Sequence, residues 1–203
     1  MSYSIHEHII VVSMYIRKVV PMYQGQRNCD NMLMLNNTFR KLWEQHVMWT
    51  RSFIISTVDN LGDIDVVTKR LLRNPSDFAE VLKLYYGRGK ANRFRELLEE
   101  HLLIAADLVN QAKAGSSAGT DLARKKWYAN AAEIAMFLAA INPCWSRQEW
   151  NKMLDEHLQM TEQEAVTRLQ RQYQRNVDIY DDIENQALAM ADYMTNGILK
   201  QCF

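Results

Sequence analysis

The sequence predicts an all-α protein, an up-down-up-down four-helix bundle built from two similar helical halves. Three observations carry that expectation. Apolar residues recur at intervals of three and four through most of the chain. Only 7 Gly and 3 Pro interrupt 203 residues that are 48% hydrophobic, too few breakers for a β fold and enough apolar material for a core. The pattern of long helix, short helical connection, long helix occurs twice, with Lys41-Leu42-Trp43 answering Lys125-Lys126-Trp127 and Ala105-Ala106-Asp107 answering Met190-Ala191-Asp192.

Residues 1–36 read differently from the rest. Ile9 to Val12 is β-branched, Pro21 and Gly25 interrupt, and Asn28 to Asn31 is turn-like, so a short strand or helix fragment followed by a poorly ordered arm is expected. The bundle is then expected over 37–203, with halves 37–114 and 120–200. Asn37 or Thr38 is placed to cap a first helix carrying Phe39, Leu42, His46, Trp49 and Phe53 on one face, closed by Gly62. Two shorter pieces follow, Ile64 to Arg73 and a second opened by Asn74-Pro75 and ended by Gly87 and Gly89. A long helix from about Ala91 to Ala114 leads to the loop Gly115 to Gly119. The third long helix has heptad spacing through Ala123, Trp127, Asn130, Ile134, Phe137 and Ile141 and stops at Asn142-Pro143. Ser146 with Glu149 forms a capping box for a short helix, and Thr161 with Glu164 forms another for the longest helix, about Thr161 to Leu199.

The 24 basic and 24 acidic residues cancel, so no nucleic-acid partner is expected. The apolar run Ile9 to Ile16 is too short to span a bilayer, and its basic residues follow it rather than precede it. With Cys29, Cys144 and Cys202 far apart and no CxxC, a reducing, cytoplasmic setting is the expectation. The Met content and the long last helix leave room for a homodimer face.

Several chemistries lack their residues. No His has an acid three positions before it, so the Glu-x-x-His pair of di-iron bundles is missing. Gly87-Arg88-Gly89-Lys90 lacks the upstream glycine and following hydroxyl of a phosphate loop. His6-Glu7-His8 is a lone pair of imidazoles in the arm. What stands out is a polar residue inside each long apolar stripe: His46, His101, Asn130, and Tyr180 with Glu184, Asp181 lying beside them. At ~1.5 Å rise per residue these fall within roughly two turns of one another in antiparallel helices. Three readings are open: a satisfied polar layer that fixes register; a zinc or iron site of His46, His101 and Glu184 or Asp181; and a small-ligand pocket lined by Trp49, Trp127, Asn130 and Tyr180. The look-alikes Glu44-Gln45-His46, Glu99-Glu100-His101 and Asp155-Glu156-His157 put acid and imidazole on different faces, and His157 is assigned to a connection.

Leu42-Trp43-Glu44-Gln45-His46 through Trp49-Thr50-Arg51, Leu71-Leu72-Arg73-Asn74-Pro75, Trp127 to Ala131, Ile141-Asn142-Pro143 with Trp145, and Met190-Ala191-Asp192 resemble a group of uncharacterised helical proteins of Firmicutes. The resemblance covers about four-fifths of the chain and implies a bacterial helical bundle without an assigned activity. Some members carry an acetylglutamate kinase label. Such kinases need an α/β sheet with glycine-rich phosphate loops, and this sequence has neither. The functional expectation is a binding or structural bundle. The enzyme alternative is a metal-dependent hydrolase or transferase at His46, His101 and Glu184. The third is a helical interaction protein.

Overall fold

A computed structural model describes the backbone of residues 5–202 and the side chains of residues 30–201. Every regular element among them is a helix: α1 (Ile5–Asp59), α2 (Ile64–Leu71), α3 (Asn74–Lys113), α4 (Ser117–Ile141), α5 (Arg147–Leu169) and α6 (Tyr173–Cys202). Of the strand or helix fragment expected early in the chain, the described residues show helix, α1 running through Pro21 and Gly25. The chain divides into a compact unit ending at Thr38 and another from Phe39 onward. Leu35 apart, the buried hydrophobic side chains among the described residues all lie in the second. No helix among the described residues is long and apolar enough to cross a membrane.

Several helix ends differ from the sequence expectation, each for a local reason. Thr38 does not cap. Its hydroxyl donates to the carbonyl of Met34 within α1. The left-handed residue closing α1 is Asn60 (φ 56°), not Gly62, with Leu61 N–H donating to the Ser56 carbonyl. Thr161 opens no helix. Its hydroxyl bonds back to the His157 carbonyl, so α5 runs on to Leu169, and the break falls at Arg171 (φ 60°). Ser146 and Pro143 behave as expected: the Ser146 hydroxyl accepts from Glu149 N–H, and α4 stops at Ile141. Gly87 (φ 76°, ψ 167°) divides α3 into two helical parts through a backbone region essentially reserved for glycine.

The contacts within the second unit arrange three helical segments around three parallel ones. The C-terminal part of α1, the part of α3 after Gly87, and α5 run side by side in one direction. Thr57 and Asn60 meet Lys113, and Arg51 meets Glu164. In each groove between them lies an antiparallel segment. The first part of α3 packs Phe78 between Trp43 of α1 and Phe94 of the second part. On α4, Asn130 bonds to Leu97 while Arg124 reaches Glu162 of α5. On α6, Gln186 bonds to Met153 while Asp192 reaches Arg40 of α1. The same positions recur along the chain at steps of 55 and 56 residues. Phe39, Phe94 and Trp150 form one buried set, Ile54, Val109 and Ala165 a second, and Phe78, Ile134 and Met190 a third. The left-handed residues that end the three parallel segments, Asn60, Gly115 and Arg171, follow the same steps.

One close approach gives a direct test of this packing. Trp145 is 2% exposed, and its indole N–H donates to the Met194 carbonyl at 3.2 Å. A Cβ on Gly197 would lie 1.8 Å from that indole nitrogen. Gly197→Ala therefore displaces the indole and breaks its bond. The expected cost is about 3 kcal/mol, a fall in Tm of roughly 5–10 °C in a thermal melt.

Candidate functional site

The three parallel segments each present one histidine to the core at the same height: His46 from α1, His101 from α3 and His157 from α5. Each is 3% exposed. The three occupy equivalent positions, and each is held by the same device. Asn74, at the start of α3, donates its amide N–H to the carbonyl of Leu42 and turns its Oδ1 to His46 Nδ1 at 3.2 Å. Asn130 of α4 donates to the carbonyl of Leu97 and sets its Oδ1 2.8 Å from His101 Nδ1. Gln186 of α6 donates to the carbonyl of Met153 and sets its Oε1 3.1 Å from His157 Nδ1. In every case the carbonyl belongs to the residue one helical turn before the histidine.

This geometry settles the protonation of the rings. An amide whose nitrogen donates to a carbonyl offers only its oxygen to the imidazole, so Nδ1 carries the hydrogen. A neutral ring then has its lone pair on Nε2. Neutrality follows from burial. Desolvation, with His157 and His101 nearby, holds the His46 imidazole down to about 3. Desolvation holds His101 and His157 down to about 4, against the pull of their amide partners. The rings pack on one another and on tryptophans. His46 and His157 have centroids 5.8 Å apart, His46 meets Trp43 edge-on at 5.6 Å, and His101 lies against Trp127 at 5.3 Å.

One turn further along the same segments stand Thr50, Ala105 and Thr161. They line an apolar cavity together with Phe53, Ile54, Leu102, Val109 and Trp127. None of the three histidines lines it.

The expected metal set is only partly brought together. His46 and His101 do lie in one layer. The partner facing them is His157, not an acid. Glu184 is half-buried on α6 beside Tyr180, and Asp181 is exposed. Among the described residues no three His, Cys, Asp or Glu side chains are grouped so as to hold a metal ion. The residue types would suit zinc or iron, but their grouping in this structure does not. The expected pocket residues also separate. Trp127 lines the cavity. Trp49 packs against the apolar cluster around Phe53 under the guanidinium of Arg70. Asn130 is taken by His101, and Tyr180 lies under the guanidinium of Arg51 at 4.8 Å. His6 and His8 have side chains outside the described residues.

Sequence reasoning missed His157, Asn74 and Gln186. The signal was present: the three acid-rich tripeptides ending in histidine are spaced 55 and 56 residues apart, and an amide follows each histidine by 28 or 29 residues. It missed a second polar cluster as well. Arg51 donates to Glu164 at 2.5 Å and to the Asn176 carbonyl at 3.1 Å. Asn176 donates to the Glu164 carbonyl at 2.7 Å. Burial pushes the Glu164 carboxyl up to about 7 despite Arg51, and burial with Glu184 and Glu164 pushes the Tyr180 hydroxyl up to about 12. No protein-family model matches this chain, and neither a curated protein nor a solved structure matches it.

Proposed function

We propose that the protein is a cytoplasmic, non-catalytic helical bundle, a structural or binding scaffold whose three-histidine layer fixes the register of its helices. The observation that carries this reading is the threefold His–amide clamp. Three neutral imidazoles at 3% exposure each have a dedicated amide partner, and none lines the adjoining cavity. A catalytic layer needs an opening through which substrate reaches the rings, whereas a register device needs only satisfied partners. A shift of one helix by a single residue separates the amide or histidine it carries from its partner and leaves both buried without one, which is how such a layer specifies one alignment.

The internal relation proposed from the sequence is refined in the same reading. The two-half, four-helix pattern is read as three helical hairpins of 55 or 56 residues, the first with its antiparallel helix broken between α2 and α3. The spacing of the histidines, amides and left-handed helix ends supports it. The resemblance to helical proteins of Firmicutes belongs to the proposal on the residues quoted for it.

One observation favours a second reading. With Nδ1 tied to an amide, all three Nε2 lone pairs are available to a transition metal, the arrangement in which metal-bound histidines are usually held. Binding would require the rings to move into a common grouping. Elemental analysis of protein purified without an affinity tag separates the two. The register reading expects far less than one zinc, iron or manganese per chain. Near-stoichiometric metal, lost from folded His46→Ala and His101→Ala variants, would overturn it in favour of the metal site.

A further inference from the structure

The threefold equivalence exposes one position that breaks it. Phe53 and Leu108 are buried apolar residues at matching places on α1 and α3. Their counterpart on α5 is Glu164, a carboxylate whose side chain is 2% exposed. A charged group where two repeats carry a core hydrophobe is a local violation of the fold's own rule, and such violations concentrate where a protein does something other than fold. The surroundings are built for it. Arg51, the α1 partner, is 17% exposed and divides its guanidinium between the Glu164 carboxylate, the Asn176 carbonyl and the face of Tyr180. Asn176 is 1% exposed. Its amide nitrogen bonds to the Glu164 carbonyl and the Thr167 hydroxyl, and its Oδ1 is buried with no hydrogen-bond donor. That unpaired acceptor belongs to a residue whose amide nitrogen holds the Glu164 carbonyl and whose own carbonyl shares Arg51 with the Glu164 carboxylate, a group that becomes a donor on taking up a proton.

We propose that Glu164 is a proton-operated latch joining α1, α5 and α6: ionised, it holds Arg51; protonated, it turns its O–H toward Asn176 Oδ1 and releases the guanidinium. The proton comes from solvent and returns to it, and no other bond is made or broken. The titratable groups around the latch are Arg51 and Glu44 on α1 and Tyr180 and Glu184 on α6. Glu162, elsewhere on α5, is paired with Arg124 of α4. The latch sits at the α5–α6 turn, where Arg171 adopts its left-handed conformation, so releasing Arg51 loosens the first turn of α6 from α1. The balance of burial against Arg51 places the exchange near neutrality rather than in the ordinary carboxylate range.

The test is a carboxyl-carbon NMR titration of the full chain labelled at glutamate, with Glu164→Gln assigning the signal. One glutamate with a midpoint near neutrality is expected. Arg51→Met should raise that midpoint by ~1 pH unit or more, because an opposite charge is lost. Asn176→Ala should lower it, because the protonated form loses its acceptor. Amide exchange in the first turn of α6 supplies the second readout. Expressed as protection relative to the intrinsic exchange rate at each pH, Glu164→Gln at pH 8 should match the wild type at pH 6, both less protected than the wild type at pH 8. A wild-type midpoint below pH 5 overturns the latch. So does a midpoint that Arg51→Met leaves in place, or exchange in α6 that does not respond to Glu164→Gln.

Discussion

Acidification from pH 7 to pH 4 is expected to unfold the bundle in a single cooperative step, well above the range where carboxylates alone would drive acid denaturation. The three core histidines are neutral in the fold and have pKa values depressed to about 3 to 4 from an ordinary 6.5. Between those values the unfolded chain binds protons that the folded chain refuses. The stability they contribute is therefore complete above pH 6.5 and is lost as the pH falls. A tenfold difference in proton affinity between the two states is worth ~1.4 kcal/mol, so by pH 4 the loss is on the order of 10 kcal/mol. That rivals the ~5–15 kcal/mol holding a whole domain together, so the chain unfolds before the rings protonate in place. Glu164 acts with the opposite sign. Its carboxyl is raised to about 7, so its contribution is present at low pH and lost as the pH rises from 4.5 through 7. Three groups against one decide the direction, and the stability should climb through pH 7 and level off at about pH 7.5. Urea denaturation at half-unit pH steps checks this. A stability that is flat from pH 7 to pH 5 would mean that the histidines are not buried neutral.

Truncating any one histidine of the layer should cost roughly 3–5 kcal/mol. His101→Ala removes a buried ring packed on Trp127 and leaves Asn130 Oδ1 without its donor, so cavity and desolvation costs add. His46→Ala and His157→Ala orphan Asn74 and Gln186 in the same way and should cost about as much. Glu184→Ala and Asp181→Ala, at positions half-buried and exposed, should stay within ~1 kcal/mol. The double variant His101→Phe with Asn130→Leu is the sharper test. Replacing both partners removes the orphaned amide, so the pair should be more stable than His101→Phe alone. A double variant that is simply the sum of two losses would show that the clamp carries no coupling.

The helical class was legible because the fold needs it written at every turn: α6 buries Ile179, Ile183, Ala187, Met190, Met194 and Ile198 at spacings of three and four. Helix ends were less legible where a side chain had two local uses. Thr161 and Asn74 both read as N-caps. The fold uses the first to bond back into α5 and the second to hold His46 across 28 residues. His46, His101 and Asn130 could be singled out because each is a polar residue interrupting an apolar stripe. His157 does the same work but was assigned to a connection because Thr161 reads as a helix start, and Gln186 follows a break at Arg171 inside what reads as one continuous helix. Glu184 was chosen on helix depth alone. Depth says how far along a helix a residue lies, not which neighbour it faces, and on α6 the residue facing the layer is Gln186. Glu164 was hidden because an acid three residues after a threonine at a helix start is what a capping box looks like.

The most direct measurement of the central claim is the ring nitrogen state of the histidines, read by long-range proton–nitrogen NMR correlation on uniformly ¹⁵N-labelled protein at pH 7. Two of the 5 histidines, His6 and His8, have side chains outside the described residues. The account predicts that His46, His101 and His157 are neutral, with hydrogen on Nδ1 and an unprotonated Nε2, and that they do not titrate before the chain unfolds. Hydrogen on Nε2 in any of the three, or titration near pH 6.5 in the folded protein, would contradict the His–amide clamp and with it the register layer.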